Sequence, residues 1–286
     1  MFHAMFRAAR AVLLTLLAAG LGLAPATAET PPIPPTAPVL LPGQGAFENG
    51  VLMEHEVFWA MGRAGQHEDL AAPGAWQQTS VRRMESDGRE VLRRVHEVRR
   101  PDSDAVLMRA SIDLDPDTLL PLVATTSRGG DSTRVEYDWS RHVVRTYPGS
   151  EGAEFGEVSL DLAMFEVGAH DLWIAVLPLR EGFTARLPTY FASSGTKYWA
   201  VPRVVGSERV QVGGSSYDAW VVEVDWWGMG AANTEANFSS GGGDGVAGAG
   251  GKYWVLKRTV ADLPRVVRIR TSIGSGQDSV LEVRAP

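Results

Sequence analysis

The sequence predicts a mainly β, α+β protein built on one strongly curved antiparallel sheet with a single short helix. Three observations carry that prediction. Past Ala46 the chain runs in short stretches rich in Val, Thr, Tyr and Trp, punctuated by Gly, Pro and Asp, which is how strands and hairpins read. Period-two alternation recurs: in Tyr217 to Trp226, the residues Trp220, Val222, Val224 and Trp226 fall on one face, while Tyr217, Glu223 and Asp225 fall on the other. Finally, the chain holds nine tryptophans (59, 76, 139, 173, 199, 220, 226, 227 and 254), and seven lie in or against expected strands. So many large flat side chains suit a sheet that is hollow or sharply bent.

The elements follow in chain order. Residues 1–28 read as an export signal: Arg7 and Arg10 precede an apolar stretch from Ala11 to Leu23, and Ala26-Thr27-Ala28 offers a small-residue cleavage site. The apolar run is too short for a spanning helix, which needs roughly 20 apolar residues, and Gly20 and Gly22 break it. Cleavage therefore places the protein in the periplasm or outside the cell, with no transmembrane segment. Removing Arg7 and Arg10 reduces 27 basic residues to 25 against 34 acidic ones, a formal charge of −9. That charge repels nucleic acid, and export removes nucleotides from the available partners. With no cysteine anywhere, disulfides, thiolate metal sites and lipid attachment at a signal-peptidase Cys are all excluded.

Residues 29–45 form a Pro-rich linker, expected to be extended and solvated because proline fixes φ and removes a donor. Residues 46–286 are expected to form a single domain. Strands are predicted at Met53–Met61, Trp76–Glu85, Arg89–Arg100, Ala105–Leu114, Leu120–Thr126, Arg134–Asp138 and His142–Tyr147. Others are predicted at Phe183–Tyr190, Tyr198–Val212, Tyr217–Trp226, Lys252–Arg258, Arg265–Thr271 and Val280–Arg284. Arg89–Arg100 also fits helical spacing through Val91, Val95 and Val98, but Asp87-Gly88 ahead of it signals a hairpin, as Gly213-Gly214 does between two later strands. The one helix is expected over Phe165–Val176, where Phe165, Ala169, Leu172, Trp173 and Val176 share a face and Pro178 stops the run. A Gly-rich loop at 228–251 is read as a flap over one end of the sheet.

Motifs of known chemistry are approached but not completed. His55-Glu56, His67-Glu68 and His96-Glu97 lack the second His of a zinc helix and read as surface residues. Asp113 to Asp117 opens like a calcium loop, but Thr118 and Ala124 stand where Gly and Glu are required, so a turn led by Asp115 and Pro116 explains it. Ser194-Gly195-Thr196-Lys197 has the spacing of penicillin-interacting enzymes without their partner motifs. The glycines ending at Lys252 miss a phosphate loop at Val246 and Tyr253. Arginines from Arg82 to Arg100 are interspersed with Glu85, Asp87, Glu90 and Glu97, as on a solvated face with cross-strand ion pairs. No metal, cofactor or catalytic residue is expected.

Several stretches carry a resemblance: Asp115-Pro116-Asp117-Thr118-Leu119-Leu120-Pro121-Leu122, Leu177-Pro178-Leu179-Arg180-Glu181-Gly182-Phe183, Val204-Val205-Gly206-Ser207-Glu208, and Lys252-Tyr253-Trp254-Val255 ahead of Leu263-Pro264. Together they resemble a bacterial secreted family known as a domain of unknown function, the 3108 type. The resemblance implies a curved sheet similar to the half-barrel of periplasmic lipoprotein carriers, which wraps a hydrophobic cavity covered by short helices. It supplies no catalytic residues.

The functional expectation is a non-enzymatic protein that binds an apolar or amphipathic, lipid-like envelope molecule on the concave face of the sheet. Trp173, Phe183, Trp220, Trp226 and Trp254 are the candidate lining, with the helix near Trp173 as lid, and each buried acyl methylene contributes about 0.8 kcal/mol. An alternative is an interaction or envelope-assembly module, its hollow filled by its own side chains and an envelope protein as partner. A third is a secreted hydrolase using dispersed groups such as Asp138 and His142.

Overall fold

A computed structural model describes residues 37–44, 54–63, 75–100, 103, 105–149, 156–192, 195–229, 251–273 and 277–284. The export signal at 1–28 and all but the ends of the 228–251 loop lie outside these residues. The domain is mainly β, as the alternation predicts. Its strands are β1 (His55–Arg63), β2 (Ala75–Ser86), β3 (Arg89–Arg99), β4 (Val106–Leu114), β5 (Pro121–Arg128), β6 (Asp131–Asp138), β7 (Val143–Pro148) and β8 (Gly156–Ser159). They continue as β9 (Phe165–Glu166), β10 (Leu187–Phe191), β11 (Thr196–Val212), β12 (Ser215–Gly228), β13 (Gly251–Leu256), β14 (Val266–Ile273) and β15 (Gln277–Arg284).

All fifteen lie in one sheet, in the order β8-β7-β6-β5-β4-β3-β2-β1-β15-β14-β13-β12-β11-β10-β9. Pairing is antiparallel except at β9–β10. Arg89–Arg99 is a strand, and the turns that settle its type are those expected: Asp87 and Gly88 both take positive φ (53° and 76°), as do Gly213 and Gly214 (57° and 79°). Two consecutive positive φ values match the twist of a two-residue hairpin.

The order of strands forces the curvature. A flat sheet of this many strands would hold its edges about 65 Å apart. Yet the two edges are joined by the short stretch from Ser159 to Phe165, which spans at most about 20 Å. The sheet must therefore roll up. It does not zip into a barrel: among the described residues no ladder joins β8 to β9.

Side-chain parity shows how the roll closes. Across β2 to β6, Val81, Arg94, Ile112, Ala124 and Val135 stand side by side as cross-strand partners and form one row of the inner wall. Tyr137, two residues along β6 from Val135, shares that inner face. On the other half, Trp226 pairs with Ala200 and Ala200 with Leu187, so Leu187 and Thr189 of β10 face inward and Tyr190 faces outward. Glu166 is the parallel partner of Tyr190. Nevertheless Tyr137 meets both: its ring stands edge-on to Tyr190 at 6.1 Å, and its hydroxyl donates to the Glu166 carboxylate. An inward residue touches outward ones only if one edge is tucked beneath the other. The sheet is a scroll, with β9–β10 inside the outer wrap formed by β6–β8. Burial agrees, because Leu187, Pro188, Thr189 and Tyr190 are all buried, on both faces of β10.

Two local expectations are corrected. The Phe165–Val176 helix is shorter: Phe165–Glu166 is β9, Val167–Ala169 is a 3-10 turn, and only His170–Ala175, here α1, is α-helical. Pairing with β10 takes the backbone of Phe165 and Glu166, and the Glu166 side chain caps the turn by accepting from Gly168 N. The end of the linker, residues 37–44, does not run free in solvent. Arg186 N donates to Pro38 O (2.8 Å), Leu40 N to Arg186 O (3.0 Å) and Gly43 N to Thr118 O (3.1 Å). Proline removes a donor but leaves its carbonyl to accept, and Pro38 uses it.

Candidate functional site

The chain returning from the scroll's edge places α1 inside the hollow. Five of its six residues, Asp171 to Ala175, are buried, so the helix presents no wet face. A helix buried all round is a plug rather than a surface lid. Trp173 packs edge-on against Trp226 of β12 (6.1 Å, 75°) and tilted against Phe165 (6.0 Å), and its indole N–H donates to Glu166 O at 3.2 Å. His170 stands edge-on to Tyr253 of β13 at 5.5 Å. At the other end of α1, buried Arg265 donates through Nη1 to Ala175 O (2.6 Å) and through Nε to Leu256 O (3.1 Å). A cation there satisfies the helix's terminal carbonyls. Gly168 lets the segment approach the opposite wall, since a Cβ at that position would stand 3.0 Å from Ile112 Cδ1.

One charged contact ties the plug to the wall. Arg94 Nε donates to Asp171 Oδ1 at 2.9 Å and Oδ2 at 3.2 Å, and both side chains are buried. Burial works to raise the Asp171 carboxyl, but Arg94 and His170 beside it hold it below the usual carboxylate range. His96, next to Arg94 on the inner face, is pushed down to about 3, chiefly by burial and then by the Arg94 charge. It is therefore neutral, and Thr79 links it to the wall: Trp59 Nε1 donates to Thr79 Oγ1 (3.1 Å), which lies 2.9 Å from His96 Nδ1. The expectation of a surface His96-Glu97 pair fails for His96, whose register partner Thr79 is fully buried. Burial also lowers His170.

The second polar cluster lies in the overlap. Glu166 is pushed up to about 7 by burial, against the hydrogen bonds it accepts from Tyr137, Gly168 N and Ala192 N. Burial, then the Glu166 carboxyl, raises Tyr137 well above the ordinary phenol value, and Tyr190 rises to about 12 for the same two reasons. The Tyr190 hydroxyl is buried without a hydrogen-bond partner among the described residues. At the margin Lys197 Nζ meets Asp161 at 3.3 Å.

The candidate lining divides. Trp173 and Trp226 are in contact inside the roll, and Phe183 is buried, its carbonyl accepting from Val204 N (2.9 Å). Trp220 shares the face of Trp226 but lies towards the hairpin end of β12, half-buried under Lys257 Nζ, 3.9 Å from the ring centroid. Trp254 is not part of this lining. It pairs with Val221, an odd number of residues from Trp226, so it projects from the opposite face. There its indole N–H donates to Glu208 (2.8 Å) and Arg268 lies 5.2 Å from its ring centroid. That outer face is not uniformly wet, because Ala219 and Val221 on it are buried.

The other motifs serve local structure. Asp115 Oδ1 accepts from Asp117 N, Thr118 N and Thr118 Oγ1 at 2.7–3.1 Å, closing its own turn. Asp138 accepts from Ser140 Oγ (2.7 Å) and Arg141 N (3.2 Å), and His142 O accepts from Leu160 N (2.7 Å). Ser194, His67 and Glu68 lie outside the described residues, which contain no group of three or more metal-ligating side chains. They also contain no helix long and apolar enough to cross a membrane. The arginines of β2 and β3 form the expected surface pairs, such as Arg82–Glu56 at 3.2 Å and Arg83–Glu90 at 2.7 Å. Arg94 departs from that pattern, as does Asp171, which no sequence feature marked.

These features define a class: a scrolled antiparallel sheet with an aromatic interior and an internal helix. Residues 75–280 match the family described as protein of unknown function (DUF3108), and the chain belongs to that family. No curated protein matches it in sequence. Among solved structures it is similar to a β-barrel-like protein of domain of unknown function DUF1849 from Brucella abortus, at 9% identity, covering 81% of this chain and 96% of that one, with a TM-score of 0.46. It is also similar to a protein from Bacteroides fragilis described as exported, with a YmcC-like fold (10% identity, 83% and 97% coverage, TM-score 0.35). A third, from Parabacteroides distasonis, is described as a lipoprotein (9% identity, 83% and 97% coverage, TM-score 0.36). Likeness at that level carries no functional information.

Proposed function

We propose that the protein is exported and acts, without catalysis, as a binder of an apolar or amphipathic envelope molecule, which enters the scroll as α1 withdraws. The observation that carries this reading is the manner of closure. A barrel zipped by ladder hydrogen bonds opens only by breaking a whole strand pairing, whereas this roll is held shut by a side-chain overlap, Tyr137 on Glu166 and Tyr190 with Lys197 on Asp161, and by a few backbone bonds from residues 37–44 to Arg186 and Thr118. Such contacts part without unpairing any of the fifteen strands, at the cost of the few bonds made by residues 37–44. The space that opens is lined by Trp226, with Val222 and Val224 beside it on β12. Trp173 occupies that space in the plugged state, and an acyl chain of similar girth replaces it.

Native mass spectrometry of protein purified from the envelope, with uptake of a fluorescent fatty acid, tests the reading. Co-purifying lipid and saturable uptake support it. A clean protein mass with no uptake overturns it and favours the second reading, an assembly module, for which the close packing of Trp173, Phe165 and Trp226 already speaks.

A further inference from the structure

We propose that the ligand carries a single oxyanion headgroup, and that Arg94 receives it in the place Asp171 holds in the plugged scroll. This rests on the interior being the ligand site. Arg94 is the charged member of an otherwise apolar row, between Val81 on β2 and Ile112 on β4, both buried. A buried ion pair is a poor stabilising device compared with apolar side chains of the same volume, and removing one partner strands the other at a high cost. Withdrawal of α1 takes Asp171 with it. The wall tolerates that only if the incoming molecule supplies the negative charge, so Asp171 stands in for the ligand's carboxylate and Trp173, two residues on and packed against Trp226, for its apolar body.

The other groups around Arg94 neither compete with nor replace that anion. His96 on the wall is held neutral by burial, burial also lowers His170 on the plug, and His55 of β1 is a third imidazole near Asp171. Asp171 takes only Nε of the guanidinium. Among the described residues Nη1 and Nη2 make no hydrogen bond, which leaves a planar pair of donors suited to a bidentate oxyanion. A fatty acid carboxylate and a monoacyl phosphate share that chemistry; a neutral glyceride or ester lacks it.

The test compares cis-parinaric acid with its methyl ester on the full-length protein near neutral pH, read by probe fluorescence. The acid is expected to bind at least about tenfold more tightly, and the Arg94→Gln/Asp171→Asn double variant to bind the two alike. Competition separates the sources: displacement by oleate alone identifies a carboxylate ligand, and displacement by oleoyl lysophosphatidate as well identifies oxyanions generally. Either supports the proposal provided that monoolein competes poorly. Equal binding of acid and ester by the unaltered protein overturns the headgroup assignment while leaving the binding function standing, whether or not the double variant folds. Binding of neither probe overturns both.

Discussion

Arg94 on β3 and Asp171 on α1, 77 positions apart in sequence, meet through Arg94 Nε at 2.9 and 3.2 Å inside the roll. They join the wall of the sheet to the element that fills it, so they set how firmly the plug is seated.

Arg94→Gln leaves the Asp171 carboxylate buried without its cation and is expected to cost about 3–5 kcal/mol. Arg94→Met with Asp171→Leu removes both charges at similar volume and should recover most of that loss. Urea unfolding of the three proteins measures both effects. A double variant as unstable as the single one contradicts the assignment.

Gly168→Val is expected to cost about 1–3 kcal/mol, because the added atoms meet Ile112 Cδ1 at a position already 3.0 Å from a Cβ. Adding Ile112→Ala relieves the clash. If the two losses simply add in thermal unfolding, the plug does not rest on β4 there.

Stability should respond to pH in two opposed ways. The Glu166 carboxyl, at about 7 in the fold against 4.5 ordinarily, binds its proton more tightly when folded, so its contribution is present at low pH and is lost as pH rises from 4.5 to about 7, by roughly 3 kcal/mol. His96, at about 3 against 6.5, does the reverse, and its contribution is lost as pH falls from 6.5 towards 3. Chemical unfolding across that range should show Glu166→Gln lacking the first loss and His96→Phe lacking the second. Variants whose profiles parallel the unaltered protein would contradict these assignments.

Trp226→Asp is expected to abolish uptake of a fluorescent fatty acid, whereas Trp254→Phe leaves uptake unchanged, because the two indoles project from opposite faces of the sheet. Uptake measured on both variants decides. Equal loss from the two would contradict the face assignment derived from register.

The alternation in Tyr217–Trp226 and the Asp87-Gly88 and Gly213-Gly214 turns made most strands legible, because strand period and turn chemistry are local. The scroll was not. It depends on a two-residue parallel pairing, Phe165 and Glu166 with Thr189 and Tyr190, which no periodicity announces and which shortened the expected helix. The key wall residue was hidden for a similar reason. Arg93 and Arg94 are neighbours in one charged run, yet alternation sends Arg93 to a cross-strand pair with Asp113 and Arg94 into the interior. Only the register of β2, β3 and β4 separates them. Trp254 misled in the same way, being one residue out of phase with Tyr253, whose side chain is the one that faces α1.

Hydrogen exchange of the α1 amides, residues 170–175, with and without saturating oleate, tests the central claim that the helix is a displaceable plug. Displacement predicts slow exchange in the free protein and markedly faster exchange when the ligand is bound, while the β12–β13 amides stay protected. Unchanged or slower exchange of α1 in a protein shown to be carrying oleate would contradict it.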